Sequence, residues 1–148
     1  MAMAREGEIL AILVLFLMLL LLHFKTTQAA TYTVGDDLGW SPEVSMESWA
    51  ENKKFYAGDT LVFNYEADSY NVVVVDQQGH DTCTLTANAK VFDSGHDQIM
   101  LVFGANYFIT SNPEDCQLGM KMAINATSHR SARKSSATIT NVGMKRGQ

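Results

Sequence analysis

The stretch that decides the fold is Tyr107–Met120, which reads Y-F-I-T-S-N-P-E-D-C-Q-L-G-M. Its first four residues are aromatic or β-branched, which is typical of a strand. Asn112-Pro113 then predicts a turn, because proline fixes its own φ and disfavours the helical region for the residue before it. A second strand is predicted from Lys121 to Asn125. A strand, a tight loop and a returning strand place side chains at one end of a β-sandwich, where a small β protein can hold a metal.

Upstream of this stretch, further short strands are predicted between regularly spaced turns. They are Thr31–Val34, Thr60–Tyr65, Asn71–Val75, Lys90–Phe92 and Gln98–Phe103. The four valines before Asp76 are too apolar for an edge strand and too β-branched for a helix, so a central strand buried on both faces is predicted. Turns are predicted at Gln77–Gly79 and Gly104–Asn106. The spacing predicts an all-β, antiparallel Greek-key β-sandwich of about seven strands.

One short helix is predicted from Ser45 to Asn52. Either Ser45 or Ser48 can cap it. Trp40, in the loop before it, and Trp49, within it, are interpreted as core residues. Stacking of these two rings on a ligand is the alternative interpretation.

The first thirty residues are interpreted as a cleaved secretory signal peptide. Ile9–Phe24 is apolar except for His23, and the small residues Ala29 and Ala30 follow it. A membrane anchor is the alternative, but this run is shorter than the about twenty apolar residues that a bilayer crossing needs. Cleavage before or near Thr31 therefore predicts a secreted protein.

Charge is divided between an acidic body and a basic tail. Residues 30–126 contain fourteen Asp and Glu against four lysines, a net charge of −10, whereas residues 127–148 contain five Lys and Arg and no acid. The acidic body argues against nucleic acid as a partner. The basic Ser/Thr-rich tail, residues 127–148, has little to bury and is predicted to be disordered. Contact of this tail with an anionic polysaccharide or membrane surface is the alternative.

The junction between body and tail carries a modification signal. Asn125-Ala126-Thr127 is an N-glycosylation sequon, and Asn125 is predicted to be glycosylated unless the last strand holds it too close to the sheet. Ala137–Met144 is too short and too polar to signal a lipid anchor. The protein is therefore expected to be released, with no stable membrane anchor after signal cleavage.

Two cysteines, Cys83 and Cys116, are present in the chain. In a secreted protein they most simply form one disulfide, and two free thiols are the alternative. Closing this loop would stabilise the fold by about 3.5–4 kcal/mol on the chain-entropy model.

Five motifs together resemble the phytocyanins, which are plant secreted cupredoxins, and in particular the plantacyanins or basic blue proteins, including the chemocyanin-type proteins. The motifs are V-G-x-x-x-G-W from Val34, A-G-D-T-L-V-F-N-Y from Ala57, N-V-V-V-V from Asn71, A-K-V-F-D-S-G-H-D-Q-I from Ala89 and C-Q-L-G-M-K-M-A-I-N-A from Cys116. The resemblance covers residues 31–126. It implies a cupredoxin-like Greek-key β-sandwich with one short helix and one disulfide, Cys83–Cys116.

Copper-binding members of that family use two histidines, one cysteine and one methionine. The resemblance places these ligand positions at Tyr70, Thr110, Asp115 and Met120, so only the methionine is retained. A type 1 site depends on a short copper–thiolate bond in a His₂Cys arrangement. A threonine hydroxyl does not replace that thiolate, and a phenol stays protonated at neutral pH. No metal and no other cofactor is therefore predicted, and copper is expected only if the copper-binding alternative holds.

No site is predicted at the three histidines that follow the apolar N-terminal run. His80 and His96 each precede an aspartate and are interpreted as solvated residues of polar turns, with metal ligation or general-base catalysis as the alternatives. His129 lies in the predicted disordered tail. The sequence has no phosphate-binding glycine loop, nucleophile elbow or catalytic triad pattern, so the protein is predicted not to be an enzyme.

Two functions remain. The first is a metal-free, monomeric interaction or signalling module of the cell wall or apoplast, with an extracellular protein or a cell-wall glycan as partner and association with the plasma membrane as a further location. Its partner patch is predicted at Tyr70, Thr110, Pro113, Asp115 and Met120. The alternative is that these residues only fill the space left by the metal. The alternative function is blue copper electron transfer, as the family resemblance implies.

Overall fold

A computed structural model describes residues 2–23 and 28–129 of the chain. Helix α1 spans Ala2–His23, and the large apolar side chains between Ile9 and Leu22 are exposed. Among the described residues, no helix combines the length and apolar character required for crossing a membrane. That residues 1–30 form a cleaved signal peptide stays a prediction.

In the described part of the chain, seven strands form two sheets, as predicted. They are β1 (Thr31–Thr33), β2 (Thr60–Asn64), β3 (Val72–Val75), β4 (Lys90–Phe92), β5 (His96–Met100), β6 (Gly104–Ile109) and β7 (Lys121–Ala126). One sheet has the order β1-β2-β5 and the other the order β4-β3-β6-β7. The valine strand β3 pairs with β4 on one side and with β6 on the other, so its predicted central position is confirmed.

The pairing is not wholly antiparallel. Strand β1 runs parallel to β2, with Thr31 beside Thr60. This pairing is possible because residues 34–59 form a long crossover that returns the chain to the end of the sheet where β1 began. The prediction of a purely antiparallel sandwich is wrong for this one strand pair.

Aromatic rings fill the space between the sheets. The Trp40 ring lies 5.3 Å from Phe63, and Phe63 lies 5.3 Å from Phe108, measured between ring centroids. Trp40 and Trp49 are both buried, so their interpretation as core residues is confirmed. The indole N–H of Trp40 donates to the carbonyl of Asn71 at 3.0 Å, which connects the core to the start of β3.

The domain contains more helix than the sequence predicts. Helix α2 (Met46–Glu51) confirms the expected one, and Ser45 caps it because the Ser48 N–H donates to the Ser45 hydroxyl at 3.4 Å. A 3₁₀ turn spans Asp36–Leu38. Two further short helices, α3 and α4, replace segments predicted as turn or loop. The prediction of one short helix is therefore wrong.

Capping side chains explain both unexpected helices. Helix α3 (Gln77–Thr82) begins because Asp76 accepts from the Gly79 N–H at 2.8 Å. Helix α4 (Pro113–Gln117) begins after Asn112, which accepts from the Glu114 N–H at 2.9 Å. Proline is compatible with the first helical position because its missing N–H would have no partner there. The predicted turns are thus helix starts.

The end of β5 and the start of β6 also differ from the prediction, again because of a side chain that bonds to the backbone. Residues 104–106 were predicted as a turn but begin β6, and β5 ends at Met100 instead of Phe103. The Asn106 side chain bonds to both the N–H and the carbonyl of Val102, so Val102 does not extend the pairing of β5 with β2. Residues 104–106 pair with β7 instead.

Cys83 and Cys116 form the predicted disulfide, which joins the end of α3 to α4. The first tail residues are ordered against the body, contrary to the prediction. Thr127 donates its N–H to the Phe55 carbonyl at 3.0 Å, and the His129 ring stacks on Tyr56 at 4.4 Å between centroids. Predicted disorder in the rest of the tail, residues 130–148, falls outside the described residues.

Candidate functional site

The candidate site lies where β3 begins and β6 ends. These strands are antiparallel, with Val73 beside Ile109, so the residue before β3 and the residue after β6 reach the same end of the sandwich. This geometry brings Tyr70 and Thr110 to one pocket of about 180 Å³. We call this region the Thr110 end.

Asn71 connects the two sides of this end. Its amide nitrogen donates to the Ser111 hydroxyl at 2.7 Å, and its amide oxygen accepts from the Ser111 N–H at 2.9 Å. The same oxygen lies 3.4 Å from the Thr110 hydroxyl, which donates to it. Sequence reasoning missed this residue, although its place directly before the valine strand was a usable signal.

Thr110 itself is 1% exposed. Its N–H donates to the carbonyl of Met120 at 3.1 Å, which holds the two sides of the loop together. Because its hydroxyl already donates to Asn71, this buried polar group has a partner within the protein. Thr110 therefore meets its hydrogen-bonding needs without any bound group.

The other predicted patch residues are divided between core and surface. Met120 is fully buried in the main hydrophobic core. Asp115 is half-buried on α4, and its carbonyl accepts from the Met120 N–H at 2.9 Å. Pro113 is exposed at the start of α4. Of the predicted patch, Tyr70 and Thr110 line the pocket, whereas the other three residues do not.

The residues at this end do not fit a type 1 copper site. That site needs a thiolate, and the position that the resemblance assigns to it holds a hydrogen-bonded hydroxyl. Cys116, the one cysteine near this loop, is buried in the disulfide. Within the described ranges, no group of three or more histidine, cysteine or acidic side chains is arranged to hold a metal ion.

The two histidines of the body behave differently from each other. His80 is buried, so its interpretation as a solvated residue is wrong: helix α3 packs on β6 and places the ring 5.5 Å from Tyr107. Its Nδ1 lies 3.0 Å from Asp81, and its Nε2 lies 3.8 Å from a Glu47 carboxylate oxygen. His96 is exposed, as expected of a solvated histidine.

A tyrosine–carboxylate pair lies beside the Thr110 end. The Tyr65 hydroxyl makes a short hydrogen bond to Asp97 and lies 2.9 Å from the Phe92 carbonyl. Burial of the ring, followed by this hydrogen bond to the carboxylate, raises the pKa of Tyr65 to about 12. This pair fixes the turn between β4 and β5, because the Tyr65 N–H also donates to the Gly95 carbonyl.

A larger groove of about 560 Å³ lies between α2 and β7. Its lining includes Glu47, Glu51, Phe55 and Asn125. Asn125 and Ala123 face outward on β7, because the residues of this strand alternate between buried and exposed. The predicted glycosylation residue is thus accessible on the folded surface.

Comparison with known proteins identifies what this sandwich is similar to. A family model described as a plastocyanin-like domain matches residues 40–120. "Early nodulin-like protein 22" of Arabidopsis thaliana is 50% identical over 101 residues, covering 68% of this chain and 72% of that protein. "Basic blue protein" of Cucumis sativus is 52% identical over 97 residues, covering 66% of this chain and 99% of that protein.

The structures agree with these sequence matches. The solved structure of cucumber basic protein, described as a blue copper protein, superposes with a TM-score of 0.62 at 52% identity, covering 66% of this chain and 99% of that one. The predicted cupredoxin-like β-sandwich is therefore confirmed.

Proposed function

Because this chain belongs to the phytocyanin family, we propose that it is a secreted member that does not assemble type 1 copper and acts as an extracellular interaction or signalling module. Its setting is the plant cell wall or apoplast. One observation carries the loss of copper: at the thiolate position stands Thr110, buried and hydrogen-bonded to Asn71.

The chemistry of this position supports the proposal. A threonine hydroxyl is a hard, neutral ligand, whereas a blue site depends on a soft thiolate. Coordination through this hydroxyl would also break its bond to Asn71 inside a buried site, which costs free energy of about 1 kcal/mol or more. The two histidine positions hold Tyr70 and Asp115, which supply no imidazole.

In place of metal binding, the Thr110 end offers a small polar pocket. Its lining includes the half-buried Tyr70 ring, the Asn71 amide and the Asp93 carboxylate. An aromatic face beside amide, hydroxyl and carboxylate groups suits the binding of sugar hydroxyls or polar peptide groups. We assign this pocket to the binding of a cell-wall glycan or an extracellular protein. The protein itself is proposed to act as a monomer and not as an enzyme.

A blue copper electron carrier is the second candidate. It is favoured by the family, since the relative of known structure is described as a blue copper protein. It requires a strong ligand set, and the residues at the four ligand positions do not supply one. If this chain bound copper, its ligands would have to come from residues outside these four positions.

Copper titration of the protein that a plant expression host processes and secretes tests the proposal. We expect no absorption band from a thiolate–copper bond and no stoichiometric copper by elemental analysis. The matched control is Tyr70→His/Thr110→Cys/Asp115→His, which rebuilds the family's ligand set around the native Met120. This variant is expected to turn blue with one copper per chain, once thiol counting confirms a single free cysteine.

Three outcomes separate the candidates. A blue, stoichiometric complex of the native protein would overturn the loss of copper. Stoichiometric colourless copper would also overturn the metal-free proposal and would point to a different site, tested at Asp115, His80 and His96. A metal-free native protein beside a blue rebuilt variant supports the proposal, because it shows that the scaffold holds copper when the ligands are present.

A further inference from the structure

The groove between α2 and β7 runs along the edge of a sheet. Strand β7 lies at the end of the strand order β4-β3-β6-β7 and pairs with β6 on its inner side. Ala123, Ile124 and Asn125 of this strand line the groove, and residues of α2 form the opposite wall. The groove is therefore bounded on one side by a strand edge that lies against no other strand of the sheet.

The backbone groups of Ala123 and Asn125 point toward this edge. In an antiparallel pair of strands, hydrogen-bonded and non-hydrogen-bonded residue pairs alternate. Thr110 donates its N–H to the Met120 carbonyl at 3.1 Å, and these two residues lie one step beyond the last pair of β6 with β7. Counted along the register from there, residues 123 and 125 fall in non-hydrogen-bonded pairs. Their N–H and C=O groups are therefore directed away from β6.

The chain just after β7 agrees with this direction. Thr127 donates its N–H to the Phe55 carbonyl at 3.0 Å, and its own carbonyl accepts from the Ala57 N–H at 2.9 Å. Alternate residues of a strand direct their backbone groups to the same side, so residues 123, 125 and 127 share this direction. Among the described residues, none outside the sheet forms a hydrogen bond with the backbone of Ala123 or Asn125. The edge is thus covered at residue 127 and open at the groove.

Open strand edges can pair with another chain, and proteins commonly guard them with an exposed lysine. The lysine of β7 does not serve here, because the Lys121 ammonium donates to the His80 carbonyl at 3.3 Å. The next outward-facing polar side chain of the strand belongs to Asn125, which begins the glycosylation sequon. A glycan on this residue would begin at the part of the edge that no lysine guards.

The opposite wall of the groove has the chemistry that a sugar requires. Exposed hydroxyl and carboxylate groups of α2 and its cap line it, and they belong to Ser45, Glu47, Ser48 and Glu51. Such groups donate to and accept from sugar hydroxyls and the N–H of an N-acetyl group. The volume of about 560 Å³ lies within the range of about 300–1,000 Å³ that is usual for small-molecule sites. The groove can therefore hold the first sugars of a glycan that begins at Asn125.

We propose that the innermost sugars of an N-glycan on Asn125 lie in the groove between α2 and β7 and cover the open edge of β7. The Ala123 N–H then donates to a sugar oxygen, and no second strand can pair with this edge. This inference goes beyond the proposed function, because it concerns neither the Thr110 end nor copper. It rests on the predicted glycosylation of Asn125.

Hydrogen exchange at the Ala123 N–H of the secreted protein tests the proposal. Thr127→Ala prevents glycosylation, whereas Thr127→Ser permits it, and both keep the backbone bonds of residue 127. We expect this N–H to exchange about fivefold more slowly in the native protein and in Thr127→Ser than in Thr127→Ala, which is the factor that one ordinary hydrogen bond supplies. Ala123 is the appropriate probe because it is not itself modified.

A relocated glycan provides the matched control. Thr127→Ala/Lys90→Thr removes the native sequon and creates one at Asn88, which is exposed just before β4, at the opposite edge of the same sheet. This variant keeps one glycan, as its mass will show, and the Ala123 N–H is expected to exchange as fast as in Thr127→Ala. Thermal unfolding of each variant, compared with that of the native protein, checks that the domain is folded.

A second variant separates binding in the groove from general shielding near the attachment point. Ser48→Ala/Glu51→Ala removes two polar groups from the α2 wall and leaves the sequon intact. The exchange of the Ala123 N–H is expected to rise toward the rate in Thr127→Ala while the glycan stays attached. Glu66→Ala, which removes an exposed carboxylate outside the groove, is expected to leave this rate unchanged.

Four results would each overturn the proposal. The first is a native protein whose mass shows no glycan on Asn125. The second is equal exchange of the Ala123 N–H with and without the glycan. The third is equal slowing of this exchange by a glycan on Asn88, and the fourth is unchanged slowing in Ser48→Ala/Glu51→Ala. None of these results bears on the proposed function, because copper titration and the Thr110 end involve other residues.

Discussion

At both ends of this sandwich, polar side chains bond to backbone groups, but the surfaces that the two ends expose differ. At the Thr110 end, Asn71 joins two strands and leaves a polar pocket open to solvent. At the other end, Asp59 and Asn106 accept from or donate to backbone groups, and the apolar side chains of Val102 and Phe103 are exposed. Both ends are held by short polar side chains bonded to backbone, but a pocket opens at one end and an apolar pair is exposed at the other.

The difference teaches that the two ends of one scaffold are stabilised by separate sets of hydrogen bonds. At the position that the family resemblance assigns to a thiolate, the buried Thr110 hydroxyl donates to Asn71. The hydrogen bonds of the opposite end are separate from this position, because they join residues near the start and the end of the domain. A substitution at one end is therefore expected to leave the hydrogen bonds of the other end intact.

The largest expected effect concerns the disulfide, which is at the Thr110 end. Cys83→Ser/Cys116→Ser is expected to lower the free energy of unfolding by about 3.5–4 kcal/mol, because the unfolded chain regains the entropy of an open loop. Denaturant unfolding of the variant and of the native protein measures this difference. A loss below about 1 kcal/mol would mean that this end is stabilised mainly by its hydrogen bonds.

The next effect concerns Asp59 at the opposite end. Asp59→Ala removes the acceptor of the Ala30 and Tyr56 N–H groups, both at 2.8 Å, and is expected to cost about 3 kcal/mol. Asp59→Asn keeps one acceptor oxygen and should lose clearly less. Equal losses for the two variants would show that the carboxylate does not act through these bonds, and hydrogen exchange at the Tyr56 N–H provides an independent readout.

A matched pair of amide substitutions compares the two ends directly. Asn106→Ala removes three hydrogen bonds around a buried turn and is expected to cost about 2–3 kcal/mol. Asn71→Ala removes two bonds to exposed Ser111 and the longer bond from the buried Thr110 hydroxyl. It is expected to cost about 1–2 kcal/mol, because water replaces the bonds to Ser111. Chemical unfolding of both variants measures the order, and the reverse order would contradict the comparison.

A smaller effect depends on pH and concerns Tyr65. Its pKa is raised to about 12, above the ordinary value near 10 that applies to the unfolded chain. The protonated hydroxyl therefore stabilises the fold fully below pH 10, and this contribution is lost as pH rises through about 12. Unfolding of the native protein and of Tyr65→Phe is expected to differ at pH 8 and to converge towards pH 12. A pH-independent difference would rule out this titration.

The smallest effect on stability is expected at the proposed glycosylation residue, Asn125, beside the junction of body and tail. Thr127→Ala removes the sequon, whereas Thr127→Ser retains it, and both keep the backbone bonds of residue 127. In secreted protein we expect one N-glycan, released by an N-glycosidase, on the native and Ser variants only. An unchanged mass after this enzyme treatment of the native protein would show that Asn125 is not modified.

Much of the fold could be predicted because its signals are local. The valine run, the Asn-Pro step and the spacing of turns predicted about seven strands, with β3 central in its sheet. Helices α3 and α4 were missed because their starts rest on Asp76 and Asn112, which favour turns and helix caps equally. His80 was misjudged because only the packing of α3 on β6 removes it from water.

By itself the sequence determined the sandwich, the disulfide partners and the absence of a cysteine at position 110, because strand patterning and ligand identity are properties of residues in order. The tertiary structure alone decided that Asn71 partners Thr110, that Met120 belongs to the core, and that the Ala57–Asp59 turn bonds to both Leu101 and Thr127. These facts rest on contacts between residues distant in sequence, and the burial and hydrogen bonding of such residues exist only once the sheets have packed.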